Sequence, residues 1–116
     1  MRRQLAELVG YFDGSFADVH PFGSIHAVPA RGYSPDIWLL GSSDFSAHLA
    51  GTLGLPFSFA HHFAAGNTLA AIQTYRSAFR PSRVLERPYL SLGVNVVCAA
   101  DDAEAAQAMT KAEERI

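Results

Sequence analysis

The chain has 116 residues, 49% of them hydrophobic, and a formal net charge of −2. This length is typical of one domain with a buried core. The nine basic residues are scattered and form no cluster, which argues against nucleic-acid binding. No apolar segment is long enough to predict a membrane span, and a single cysteine excludes an internal disulfide. We expect a cytoplasmic protein in which Cys98 is a buried, unreactive thiol.

The chain opens with a predicted helix and a long loop. Four apolar residues recur at the spacing of one helix face: Leu5, Leu8, Val9 and Phe12. Residues 13–36 are rich in Gly, Pro and His, which predicts a loop with at most a short extended piece at Ile25–Val28. Loops of this length in compact domains are commonly functional or lie tightly on a surface.

Residues 37–54 form the first predicted β/α unit. The unbroken apolar run from Ile37 to Leu40 is typical of a strand that is buried on both faces, as in a parallel sheet. Phe45, Leu49 and Leu53 follow at four-residue spacing, which predicts a helix that ends at Gly54.

Residues 56–80 form the second unit. A strand is predicted from Pro56 to His61, followed by a helix that Asn67 caps and Pro81 stops. The apolar residues of this helix recur at helical spacing: Leu69, Ile72, Tyr75 and Phe79.

Residues 89–115 form the third unit. The strand YLSLGVNVVC places Leu90, Leu92, Val94 and Val96 on one face and Ser91, Gly93 and Asn95 on the other. Asp101 with Glu104 resembles a capping box at the start of a last helix.

Strands that alternate with helices predict crossover connections and a parallel sheet. We therefore expect an α/β fold with about three parallel strands, in one domain that covers residues 1–116. Both ends are predicted to be helical, and no glycine or proline stop signal follows Lys111. We expect the chain to be a section of a larger fold.

Ligands of parallel β/α folds bind at the carboxyl ends of the strands, where the following helices begin. The candidate site residues at these ends are Gly41, Ser42, Ser43, Ser46, His61, His62 and Asn95. Serine hydroxyls, backbone amides and the helix dipole around one helix start suit a phosphate group. The alternative is that Ser43 only caps the helix, as serine commonly does.

Three runs carry a resemblance to a known family: WLLGSSDFSAHLAGTLGLPFSFAHHF, NTLAAIQTYRSAFRPS and PYLSLGVNVVCA. Over residues 37–100, in this order and spacing, they resemble the luciferase-like flavin-dependent monooxygenases, in particular the subgroup with a strand close to LPFAFAHHF. The resemblance implies a TIM-type β/α barrel in which these strands would be the fifth, sixth and seventh. It also implies reduced FMN, or a deazaflavin in some branches, as the cofactor with which oxygen oxidises an aldehyde or another small organic substrate.

The resemblance implies that the turn after the fifth strand holds the flavin phosphate, which falls here on Ser42, Ser43 and Ser46. In the luciferase branch an acidic residue stands at the position of Ser42. Asn95 and Gly93 would line the pocket floor, although Gly93 could equally mark a bend where backbones approach closely.

His61 and His62 are candidates for acid–base or hydrogen-bonding roles, because histidine titrates near neutral pH. Adjacent strand residues point to opposite faces, so the pair cannot easily chelate one ion, and we predict no metal site. One of the two should face the ligand end of the barrel and the other the helices. A histidine that is bonded only to local backbone is the alternative.

A complete barrel of this type needs about 250 residues, and the resemblance leaves the first four strands without a counterpart here. One hypothesis is therefore a part of a flavin-dependent oxidoreductase. The other is a non-catalytic truncated relative that acts as a flavin-binding or self-assembling module. Three parallel strands leave two open sheet edges and an apolar inner face with Trp38 and Leu40, so we expect a homodimer or a higher homo-oligomer.

Overall fold

The computed structural model of the chain describes residues 1–16 and 19–115. Its helices are α1 (Arg2–Asp13), α2 (Asp44–Leu53), α3 (Thr68–Ala78) and α4 (Asp102–Glu113). Its strands are β1 (Leu39–Gly41), β2 (Phe57–Phe59) and β3 (Leu90–Leu92), and a 3-10 turn at Ala65–Asn67 precedes α3.

The strands form one sheet in the order β1-β2-β3, and both pairs are parallel. Ser58 in the central strand is in register with Leu40 on one side and Ser91 on the other. The strands alternate with helices, so the predicted α/β fold with three parallel strands is confirmed within the described residues.

The core lies between the sheet and the two helices α2 and α3. Its fully buried residues are Ala47, Ala50, Phe57, Phe59, Ala71 and Tyr75. Small residues let the helices approach closely, since a Cβ added at Gly51 would lie 2.7 Å from the Tyr75 carbonyl oxygen. Burial of each phenylalanine side chain stabilises the fold by about 1.5–3 kcal/mol.

Helix α2 ends as predicted, and most of its buried residues are small. Gly54 adopts the left-handed conformation (φ 63°), and its N–H bonds the Ala50 and Gly51 carbonyls. Of the apolar residues that predicted this helix, Leu49 is buried, whereas Phe45 is 65% exposed. The other buried residues of α2 are small ones: Ser46, Ala47, Ala50 and Gly51.

Helix α3 departs from its predicted face at Leu69, whereas Tyr75 lies in the core and Phe79 packs against it as predicted. Leu69 is 75% exposed, whereas Thr68, Ala71 and Tyr75 are buried. Residues two positions apart lie on nearly opposite sides of a helix, so packing through Ala71 turns Leu69 to solvent. The Asn67 side chain makes no capping hydrogen bond, because a 3-10 turn leads into the helix.

The outer strands are shorter and more exposed than predicted. Leu40 is 69% exposed, so burial of the first strand on both faces was wrong. β3 ends at Leu92 and not at Cys98, whose thiol is exposed and not buried as predicted. Leu40 is exposed because α2 and α3 cover only the other face of the sheet. Cys98 is exposed because α4, which follows it, has no buried residue and does not cover this segment.

The segment around the predicted loop contains turns and no strand at Ile25–Val28. The molecule measures 62 × 33 × 21 Å with a radius of gyration of 18.7 Å, whereas a compact domain of about 100 residues has a radius near 13 Å. The smallest dimension matches one helix layer on one sheet layer. In the part of the chain that the structure describes, one helix layer covers one face of the sheet and the other face is bare.

Candidate cofactor site

The carboxyl ends of the three parallel strands lie at one edge of the sheet. Gly41 ends β1, the His61–His62 pair follows β2, and Gly93 follows β3. The structure thus brings two groups to the same edge, which is called the ligand edge below. They are the two histidines and the serine turn, defined as the turn after β1 that contains Ser42, Ser43 and Ser46.

Gly41 is required by the close approach of Ser46. A Cβ at Gly41 would collide with the Cβ and Oγ of Ser46, whose side chain packs under the end of β1. Ser46 is only 8% exposed. Gly41 and Ser46, both predicted site residues, therefore pack against each other inside the turn.

Ser43 and Ser46 form a reciprocal capping box at the start of α2. The Ser46 N–H donates to Ser43 Oγ at 3.3 Å, and the Ser43 N–H donates to Ser46 Oγ at 3.4 Å. The Ser46 hydroxyl donates to the Ser43 carbonyl oxygen at 2.8 Å. Ser43 thus caps the helix, and with the Ser46 hydrogen engaged, the Ser43 hydroxyl can donate to Ser46 Oγ at 3.2 Å or turn toward a ligand.

The start of α2 keeps donors for an anion. The Asp44 and Phe45 amides occupy the first helical positions, where no carbonyl of the helix can accept their hydrogens. Ser42 precedes them and is half-buried. Two amides, the positive end of the helix dipole and the Ser42 and Ser43 hydroxyls can together bind a phosphate oxygen.

One charge at the helix start opposes an anion. Asp44 is exposed, and its Oδ1 accepts a hydrogen bond from Asn67 Nδ2 at 3.2 Å. This contact joins the start of α2 to the turn before α3. The Asp44 carboxylate stabilises α2 by its interaction with the positive end of the helix dipole. The same charge would repel a phosphate bound to the Asp44 amide.

His61 bonds to the helix layer. Its Nδ1 lies 2.7 Å from Thr68 Oγ1, and the Thr68 hydroxyl donates to the Ala65 carbonyl oxygen at 3.0 Å. Because the hydroxyl has one hydrogen, the imidazole Nδ1–H is the donor to Thr68.

His62 bonds to the end of β3. Its Nδ1 donates to the Gly93 carbonyl oxygen at 2.9 Å, and its backbone N–H donates to the same oxygen at 3.1 Å. A Cβ at Gly93 would lie 3.2 Å from the His62 ring, so glycine leaves room for this contact. The His62 ring is exposed at the ligand edge and stacks obliquely on Phe63, 4.5 Å between centroids.

The two histidines therefore have different partners, one in α3 and one at the end of β3. Among the described residues no group of three His, Cys, Asp or Glu side chains is placed to hold a metal ion. Asn95 is exposed in the irregular segment beyond β3.

Two clefts lie at the opposite end of the strands. They have volumes of about 370 and 440 Å³ and share Val9, Ile37 and Leu55 in their walls. Ile37 and Leu55 precede β1 and β2, whereas the serine turn follows β1. The ligand edge is an open surface in this chain, because one face of its sheet is bare.

Sequence reasoning missed two polar partners at the ligand edge. Thr68 holds the His61 ring, and Asn67 holds Asp44. In the sequence, Asn67 has the pattern of a helix cap, and nothing marks Thr68 as the partner of a histidine seven residues earlier. In residues 1–16 and 19–115, no helix combines the length and apolarity that crossing a membrane requires.

A family model described as luciferase-like monooxygenase matches residues 1–115. The chain is 51% identical over 104 residues to the uncharacterized protein YvbT of Bacillus subtilis (strain 168), covering 90% of this chain and 30% of that protein. It is 44% identical over 103 residues to a luciferase-like monooxygenase of Escherichia coli (strain K12), covering 89% of this chain and 30% of that protein.

The crystal structure of apo-MsnO8 superposes with a TM-score of 0.75 at 39% identity, covering 90% of this chain and 30% of that one. The chain thus spans about 30% of the length of these relatives. The three parallel strands and their helices correspond to a part of that larger fold, as the sequence predicted for a partial β/α barrel.

Proposed function

Because the chain belongs to the luciferase-like monooxygenase family, we propose that it is a part of a flavin-dependent oxidoreductase and holds the phosphate of reduced FMN at the start of α2. A bound flavin would supply the redox chemistry with oxygen, and the protein supplies binding, orientation and exclusion of water. The activity of the whole fold on a small organic substrate belongs to this proposal, since the chain spans about 30% of its relatives.

One observation carries the phosphate assignment: the Asp44 and Phe45 amides are without helical acceptors at the ligand edge, directly after Ser42 and Ser43. A deazaflavin with the same phosphate group would use the same donors. His62 would meet the remainder of the ligand, because its ring is exposed at this edge with Nδ1 already engaged. We also propose that the protein is cytoplasmic, because a free thiol such as that of Cys98 is typical of a reducing compartment.

The test separates the phosphate from the rest of the flavin. Ser43→Asp retains a good helix cap but adds a negative charge, whereas Ser43→Ala removes the hydroxyl. We expect Ser43→Asp to weaken FMN binding by about tenfold or more through like-charge repulsion while riboflavin, which has no phosphate, binds as before. Fluorescence titration measures both, and circular dichroism verifies that α2 stays folded. Equal losses for FMN and riboflavin would refute the phosphate assignment.

A second candidate function is self-assembly, and the bare sheet face favours it. Trp38 and Tyr89 lie in edge contact, 5.2 Å between ring centroids, and Leu40 is largely exposed beside them. β1 and β3 each lack a neighbour on one side within the described sheet. We propose that, in the absence of a bound flavin, a second copy of this chain covers this face in a two-fold symmetric dimer, since each copy offers the same apolar surface.

Light scattering at low micromolar concentration tests the dimer. We expect twice the chain mass for the wild type and the monomer mass for Leu40→Lys, because a charge on this face resists burial. Gln73→Lys, on the outer side of α3, is the matched control and should remain a dimer. A monodisperse wild-type monomer would contradict this candidate function.

A further inference from the structure

The bare face of the sheet carries a pair of hydroxyl groups at its centre. Ser58 is the middle residue of β2, and Ser91 is its partner in register on β3. Phe57 and Phe59, on either side of Ser58, are fully buried under the helices. Side chains alternate along a strand, so Ser58 lies on the opposite, helix-free face.

The two serines share one hydrogen bond and keep one hydrogen to donate. Ser91 Oγ donates to Ser58 Oγ at 2.8 Å. Within the described residues, no acceptor for the Ser58 hydroxyl hydrogen is found. Two hydroxyls joined by one bond always leave one O–H available, whichever of them donates. The pair therefore presents one oriented donor to whatever covers this face.

The surroundings of this donor are apolar. Leu40 is its register neighbour on β1, and the Trp38 and Tyr89 rings lie in contact at the amino end of the same face. At the carboxyl end stands His62, tied to the Gly93 carbonyl. A flat aromatic ligand with polar atoms on its rim suits a face of this kind, because its rings bury apolar area and a rim acceptor meets the single donor.

A purely structural role is the simpler explanation, since serine pairs on neighbouring strands stabilise sheets by a few tenths of a kcal/mol to about 1 kcal/mol. That role requires the bond between the two hydroxyls and nothing else. It does not use the remaining O–H. The two explanations therefore differ in whether the Ser58 hydroxyl has a partner outside the chain.

We infer that the Ser58–Ser91 pair donates a hydrogen bond to an acceptor atom on the ring system of a bound flavin, a carbonyl oxygen or a ring nitrogen. This inference rests on the proposed function and deepens it, because it assigns to the sheet face the end of the flavin that lacks the phosphate. Ser58 is then a binding residue, and Ser91 a positioning residue that orients its hydroxyl.

Lumiflavin, which has the ring system without the ribityl chain and phosphate, is the probe that tests the inference. We expect Ser58→Ala to weaken lumiflavin, riboflavin and FMN binding alike, by about threefold to tenfold, the range of one neutral hydrogen bond. Ser91→Ala should have a smaller effect, since Ser58 keeps its donor. Ser77→Ala, an exposed serine on α3, is the matched control and should change nothing. A change in the visible flavin spectrum on Ser58→Ala gives a second readout, to which a sheet bond alone would not contribute.

The outcomes separate this inference from the proposed function. FMN binding that depends on Ser43 but not on Ser58 would overturn the inference and leave the phosphate assignment in place. Equal losses of stability in Ser58→Ala and Ser91→Ala, with unchanged lumiflavin binding, would show a structural pair and overturn it as well. If the wild-type chain binds none of the three flavins, both the inference and the proposed function fail.

Discussion

The hydroxyl of Tyr75 accepts a hydrogen bond from the backbone N–H of Tyr89 at 3.1 Å. Its single hydrogen lies nearest the Leu55 carbonyl oxygen, at 2.9 Å, and the Tyr89 carbonyl oxygen is a longer contact at 3.2 Å. The side chain of Tyr75 is fully buried in α3. The Tyr75 hydroxyl thus connects the chain segments that lead into β2 and β3 to the helix layer by hydrogen bonds.

Replacing Tyr75 with Phe should lower the free energy of unfolding by about 1–3 kcal/mol, because it removes the partner of the part-buried Leu55 carbonyl oxygen and Tyr89 N–H. Urea unfolding followed by circular dichroism measures the change. Tyr89→Phe is the matched control, since the Tyr89 side chain is exposed and its hydroxyl makes no hydrogen bond in the described part of the chain. Equal stabilities of the two variants would contradict this role of Tyr75.

The same burial should make stability depend on alkaline pH. Burial raises the pKa of Tyr75, and its hydrogen bond with the Tyr89 backbone opposes this only in part. The folded chain therefore holds the phenol proton more tightly than the unfolded chain. This stabilisation is complete below about pH 10, where a free tyrosine ionises, and is lost as the pH rises further through the folded-state pKa.

We expect the free energy of unfolding to fall more steeply above pH 10 in the wild type than in Tyr75→Phe. Urea titrations at pH 8 to 11 compare the two, and the other tyrosines, common to both, cancel in the difference. Parallel curves over this range would show that Tyr75 ionises in the folded state as it does in the unfolded state.

The elements that the sequence predicted well are those with local signals. The end of α2 at Gly54 and the capping of α4 by Asp101 depend on residues within one turn, and both are confirmed. The exposure of Leu40 and Cys98 depends on which layers cover the sheet, and no local pattern contains that information. Periodicity alone placed Tyr75 and Phe79 of α3 correctly against the core but misplaced Leu69, because packing through Ala71 turns Leu69 to solvent.

The same distinction between local signals and contacts across elements applies to the candidate site. The serine turn could be predicted because a strand, a glycine and serines in series mark a helix start. The hydrogen bond that the Ser46 hydroxyl donates to the Ser43 carbonyl oxygen could not be predicted, because it depends on how closely the turn packs under β1. The partners of His61 and His62 lie in other elements, which local spacing does not reveal.

Gly41→Ala should destabilise the chain by about 1–3 kcal/mol, because the added methyl group collides with Ser46 beneath the serine turn. Gly66→Ala is the matched control: a Cβ there meets nothing within 4 Å, so its effect should stay within about 0.5 kcal/mol. Thermal unfolding of both variants measures the difference. A Gly41→Ala chain as stable as the wild type would mean that Ser46 can move away from β1 without loss.

Asp44→Asn should strengthen FMN binding by about fivefold at low ionic strength, since it removes a negative charge next to the phosphate donors. The substitution keeps the side-chain oxygen that accepts from Asn67. Riboflavin binding should not change, and the gain should shrink as salt is added. Fluorescence titrations at two salt concentrations measure this. A gain for riboflavin as large as that for FMN would place the effect of Asp44 away from the phosphate.

Amide chemical shifts test the central claim, phosphate binding at the start of α2, most directly. In a ¹H–¹⁵N correlation spectrum of the wild-type chain, FMN should shift the Asp44 and Phe45 amides most among the helix starts, because these N–H groups would donate to the phosphate. Riboflavin should leave both in place. The claim would be contradicted if FMN left these two amides unmoved, or if riboflavin shifted them as far as FMN.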